Sequence, residues 1–155
     1  MLMKSLKELI NAILNSSENK ELENIKRNPT MIKEIANPTE AQQLAAVRSS
    51  SHVIKYIKEP AKKVRFIALK DDIYNYRYIK SLTKKEQLYL IKEGIRIENI
   101  KRPVEKVQLY ALKWRKASIN DIKNPTEKAQ LITIRKDKEL FLYIKNPTIT
   151  VCQEV

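Results

Sequence analysis

Glycine is almost absent: the chain has one, Gly94, in 155 residues. Left-handed backbone is therefore rarely demanded, and tight hairpins are not expected. Cysteine is also single, so Cys152 has no internal disulfide partner, and the composition fits a reducing compartment, the cytoplasm. His52 is the only histidine, a hundred residues from Cys152. No Ser-His-Asp set, metal-ligand spacing or Gly-rich phosphate loop is present. The chain is accordingly not expected to be an enzyme, to carry a cofactor or metal, or to act on a small-molecule substrate. No apolar run approaches membrane-spanning length, so no membrane association is expected. The stretch Met1 to Leu14 spaces Leu2, Leu6, Leu9, Ile10, Ile13 and Leu14 helically, broken by Lys4, Lys7 and Glu8. It is expected to be a first helix capping the fold rather than a signal-peptide block.

Acidic residues are also in deficit. Against 31 Lys and Arg stand 18 Asp and Glu, a net charge of +13. Residues 1–34 hold 6 basic and 5 acidic side chains, which gives +1, and residues 35–155 hold 25 and 13, which gives +12. At 43% hydrophobic and 32% charged, the chain is expected to fold as one domain spanning 1–155.

What is abundant is a repeat. Asn37-Pro38-Thr39-Glu40 returns as Asn124-Pro125-Thr126-Glu127 and as Asn146-Pro147-Thr148. Pro38, Pro60, Pro103, Pro125 and Pro147 lie 22, 43, 22 and 22 residues apart, with Leu82 at the missing beat and Ser16 one beat earlier. Three residues before each origin stands Ile: Ile13, Ile35, Ile57, Ile79, Ile100, Ile122 and Ile144. Apolar residues also recur six before, six after and nine after, as at Ile119, Leu131 and Ile134 around Pro125. A period this short implies stacked supersecondary units. Asn37, Asn124 and Asn15 are read as N-caps, with Glu40, Glu127 and Glu18 closing capping boxes and Pro at the first helical position. A first helix of about ten residues is predicted, to Arg48 or Arg135 for example. A short polar loop and a second helix of two turns ending at the repeated Ile complete the unit. The expected fold is all-α: a right-handed α-solenoid of about six two-helix repeats without β-sheet. Residues 1–34 would form the cap and first repeat, 35–146 the basic repeats and 147–155 a half-repeat.

The unit Ile-x-Asn-Pro-Thr-Glu-x-x-Gln-Leu-x-Ala-Val resembles the leucine-rich-repeat-variant unit and, more loosely, HEAT-like repeats of bacterial and phage proteins. The likeness covers about residues 13 to 151 and implies a helical solenoid. The second proline of the variant family's opening is absent here, and so is its preceding cysteine cluster.

Three columns of the repeat are cationic. Ten after the origin come Lys26, Arg48, Lys70, Lys92, Lys113 and Arg135; two before it come Lys58, Lys80, Lys101, Lys123 and Lys145; three after it come Lys63, Lys85, Lys106 and Lys128. In a stack such columns become ladders, which suit a phosphate backbone. A repeat also copies ordinary solvated lysines, so the columns alone leave both readings open. Trp114, between Lys113 and Arg115, breaks the repeat and is a candidate contact residue, and Tyr74 is a candidate for base stacking. Gln43, Gln87, Gln108 and Gln130 share a column expected to bond the next unit's backbone, because buried polar groups must be satisfied, with the reading of base edges as the alternative. Asp71-Asp72 is expected to start a helix or turn. The function expected is non-catalytic binding of nucleic acid or a ribonucleoprotein. The Ile, Lys and Asn richness suggests an AT-rich genome, and a phage or mobile-element inhibitor of a nucleic-acid-handling machine would suit it. The alternative is an adaptor gripping an acidic protein or peptide.

Overall fold

The computed structural model describes residues 2–155, with the side chains of residues 6–14 and 16–155. It is all-helical, and no strand occurs among the described residues. Two compact units divide the chain, Met1–Lys80 and Ser81–Val155.

In the first unit, α1 (Leu2–Arg27), α2 (Glu40–Ser49) and α3 (Lys62–Asp71) alternate with short 3-10 helices η1 (Pro29–Glu34), η2 (Ser51–Tyr56) and η3 (Ile73–Tyr78). Each α-helix packs on the next, and η1, η2 and η3 pack in sequence beside them. In the second unit, α4 (Lys84–Lys92), α5 (Glu105–Lys113), α6 (Glu127–Lys136) and α7 (Ile149–Glu154) pack in order. Between them lie η4 (Ile97–Asn99), η5 (Ile119–Asp121) and η6 (Lys138–Tyr143). The second element of each repeat is thus a 3-10 helix, where sequence spacing predicts two α-turns. It is confined to six residues or fewer between extended residues such as Ser50 and Ile57, too few for a hydrogen-bonded α-helix to repeat.

The caps are shifted from their expected places. Asn37 and Asn124 lie ahead of the helix, in the bend with Pro38 and Pro125, and Thr is the cap. Thr39 accepts from the Gln42 N–H while Gln42 accepts from the Thr39 N–H, a reciprocal box. Thr83 and Glu86 repeat it, and Thr126 accepts from Ala129. Glu40 and Glu127 are therefore first helical residues rather than box partners. The predicted cap at Asn15 with Glu18 is absent, because α1 runs continuously through both. Leu6, Leu9, Ile10, Ile13 and Leu14 on that helix are 48–60% exposed and cover no core.

The apolar columns lie where the repeat predicts. Ile57, Ile79, Ile100, Ile122 and Ile144 are buried, each holding the extended residue that closes a 3-10 helix. Ile32, Ile54, Ile97 and Ile119 are buried six before the origin, and Val47, Leu69, Ile91 and Ile134 nine after. Around the last repeats, Ile119, Ala129, Ile134, Ile144 and Val151 form one cluster with Leu109, Leu112, Leu131 and Phe141 against it. Ile13 and Ile10, in the same columns, are exposed because no chain turn brings them inward.

Candidate nucleic-acid interface

The glutamine column is consumed by structure. Gln43 donates to the Pro38 carbonyl (2.9 Å) and accepts the Ala61 N–H (3.0 Å). Gln108 donates to the carbonyls of Pro103 (2.9 Å) and Asn124 (3.2 Å) and accepts the Thr126 N–H (2.8 Å). Gln87 and Gln130 make the same three bonds one repeat either side. Each side chain ties the start of its own helix to the start of the next. Both ends of its amide are occupied, which leaves no edge for a base.

The cationic columns separate into two kinds by their place on the helices. Arg48 and Lys70 in the first unit, and Lys92, Lys113 and Arg135 in the second, are exposed in the last turn of their α-helices. Cations there complement the negative end of the helix dipole, so fold energetics alone accounts for them. Most also have a partner. Lys70 Nζ lies 5.5 Å from the Phe66 ring centre, Lys92 Nζ 5.8 Å from that of Tyr110 and Lys113 Nζ 5.7 Å from that of Trp114. Arg135 clamps Glu154, with Nε 2.9 Å from Oε2. That hydrogen bond holds the Glu154 carboxyl below the usual carboxylate range and raises the Arg135 guanidinium. Lys26 pairs with Glu23 and lowers its carboxyl likewise.

The other two columns stand at the opposite end of the helices. Lys63, Lys85, Lys106 and Lys128 sit in the first turn of α3, α4, α5 and α6, all exposed. Lys62 and Lys84 extend the set, and α3 has no acidic residue in its first turn. Lys58 and Lys80 in the first unit, and Lys101, Lys123 and Lys145 in the second, follow the buried Ile of each bend and are exposed. None of these lysines has an ion-pair partner among the described residues. The helix dipole disfavours a cation at this end by about 0.3–1 kcal/mol. Sequence spacing could not rank the three columns, because it gives a residue's position in the repeat but not which helix end it meets.

The aromatic candidates differ. Tyr74 is 55% exposed in η3, with the Arg77 guanidinium 5.3 Å from its ring centre and 5.9 Å from that of half-buried Tyr76. Asp72 caps η3 by accepting the Tyr74 N–H, and His52 Nε2 lies 3.3 Å from its other carboxylate oxygen. Trp114 is 59% exposed at the C-cap of α5, tilted against Tyr110 at 6.2 Å.

The residue after Trp114 escaped the sequence reading. Arg115 has φ +52°, and it is the one non-glycine residue in that region among those described. Its counterpart one repeat earlier is Gly94, with φ +94°. Both close a helix with the same turn: the Ile95 N–H reaches the Leu90 carbonyl (2.9 Å) and the Lys116 N–H reaches that of Ala111 (2.8 Å). Glycine adopts this backbone freely and arginine does so at a cost. Beside this turn, α5, η5, α6 and η6 enclose a groove of about 950 Å³.

No helix is long and apolar enough to cross a membrane, and no cluster of three His, Cys, Asp or Glu could hold a metal, among the described residues. Comparison with family models, curated proteins and solved structures returns no match.

Proposed function

We propose that the chain is a non-catalytic scaffold whose basic edge engages the phosphate backbone of nucleic acid, free or within a ribonucleoprotein. One observation carries this reading. Exposed lysines without ion-pair partners recur at helix starts, the end where the dipole opposes them. In the second unit Lys101, Lys123 and Lys145 recur 22 residues apart, with Lys85, Lys106 and Lys128 in the adjoining first turns. Helix packing spaces such rungs by about 10 Å. A polyanion bound there releases counterions and meets the positive helix ends as well as the lysines. The same reading takes the repeats as a right-handed solenoid of about six units, which small-angle scattering tests as an elongated particle.

The test is a fluorescence-anisotropy titration with duplex and single-stranded oligonucleotides across a salt series. Changing Lys101, Lys106, Lys123 and Lys128 together to Glu should remove most of the affinity. It should also flatten the log–log salt slope by about three to four units on duplex and less on single strands. Helicity should be retained, and the melting temperature should not fall, since acids suit helix starts. The control changes Lys7, Lys20 and Lys33, in the charge-balanced N-terminal region, and should do little. Equal losses from both sets would replace a defined edge with diffuse attraction. Wild-type binding that ignored salt would remove the reading.

A further inference from the structure

The groove beside Arg115 lies at the opposite helix ends from the basic edge, and its chemistry is different. Its floor is aliphatic, built from Leu109, Leu112, Ile119, Ile132 and Leu140. Its rim carries Lys113, Arg115, Lys116 and Lys136 against the single acid Asp121. Asp121 is already engaged, accepting the Ser118 N–H at 2.7 Å. Leu112 is half-buried here, whereas Val47, Leu69, Ile91 and Ile134 in its column are buried. This repeat alone opens its core column toward the groove. Ile132 is 43% exposed in the same floor.

Arg115 gives the groove its second argument. The turn needs a left-handed residue, and the preceding repeat meets the need with Gly94. Here the chain keeps an arginine in that strained backbone, between Trp114 and Lys116. Strain of this kind persists where the side chain has work that glycine would not do. With Lys113 and Lys116, it puts three cations along one lip of an apolar trough.

We propose that this groove docks an acidic, amphipathic segment of a protein partner, with aliphatic side chains in the floor and carboxylates on the Lys113, Arg115, Lys116 and Lys136 rim. Charge complementarity selects the sign of the partner, and the aliphatic floor selects a peptide over a phosphate backbone. The docking is independent of the lysine edge, so either can fail alone.

The probe is a short synthetic peptide of Leu-Leu-Glu-Glu repeats carrying a terminal fluorophore, into which the full chain is titrated. Its anisotropy should rise saturably as the peptide docks. Ser-Ser-Glu-Glu and Leu-Leu-Lys-Lys peptides should give no such rise. Ile132→Glu, at an exposed position, should weaken the Leu-Glu peptide at least tenfold while the melt stays intact. Arg115→Gly should raise the melting temperature by about 2–4 °C, relieving the strained turn, and yet weaken binding. Four results would overturn the proposal: no rise with the Leu-Glu peptide; an equal rise with Ser-Glu, which is charge alone; displacement of the bound peptide by oligo-dT, which would give the surface to nucleic acid; or unchanged affinity in both variants.

Discussion

Gln108 does at a single residue what the repeat does at large. Its amide bonds two carbonyls and one N–H at the junction of two successive helices, and it is buried. Replacing it with leucine keeps the volume but leaves Pro103 O, Asn124 O and the Thr126 N–H without their partner. Gln108→Leu should therefore cost about 2–3 kcal/mol, read by urea denaturation. Gln153→Leu, at an exposed position, should be neutral. The glutamine column was legible in the sequence as a repeated polar position, and satisfaction of buried groups already favoured a backbone role. Asn-Pro misled at the same scale. It carries the usual signature of a cap followed by a first-turn proline, but here those two residues turn the chain. The cap falls to Thr: Thr39 and Thr83 exchange bonds with Gln42 and Glu86, and Thr126 accepts the Ala129 N–H.

At the scale of elements, proline decided what could be read. Where Pro38, Pro125 or Pro147 stands at the origin, helix cannot continue and the predicted boundary is met within a few residues. At Ser16 no proline intervenes, and α1 continues through it to Arg27 despite Ile13 sitting in the core column. The 3-10 elements were illegible for another reason: apolar spacing of three suits both helix types, and only the length available between extended residues separates them. The last element, α7, is short and held partly by charge, through Arg135 and Glu154. The Glu154 carboxyl titrates below its ordinary 4.5 because Arg135 bonds its charged form. A depressed carboxylate pKa favours the folded chain above pH 4.5, and that contribution fades as pH falls through the lower folded value. Carbon-13 NMR titration should find the Glu154 midpoint below 4.5, and Arg135→Gln should return it to the ordinary range. A midpoint already ordinary in the wild type would mean that the clamp is not populated in solution.

For the whole molecule, the chain falls into two compact units, Met1–Lys80 and Ser81–Val155. Two sequence lapses bracket that division. Leu82 replaces the proline, and Arg65 occupies the position where Gln43, Gln87, Gln108 and Gln130 stand in other repeats. Each of those glutamines joins consecutive repeats inside one unit. Repeats tied in this way unfold together, so each compact unit should melt as one cooperative block. Calorimetry of the full chain should therefore give a calorimetric enthalpy larger than the van't Hoff enthalpy. Gln108→Leu, inside the second unit, should lower the melting temperature of one block and leave the other in place. A wild-type ratio already at one, or a shift of the whole transition by Gln108→Leu, would show that the chain unfolds as a single block.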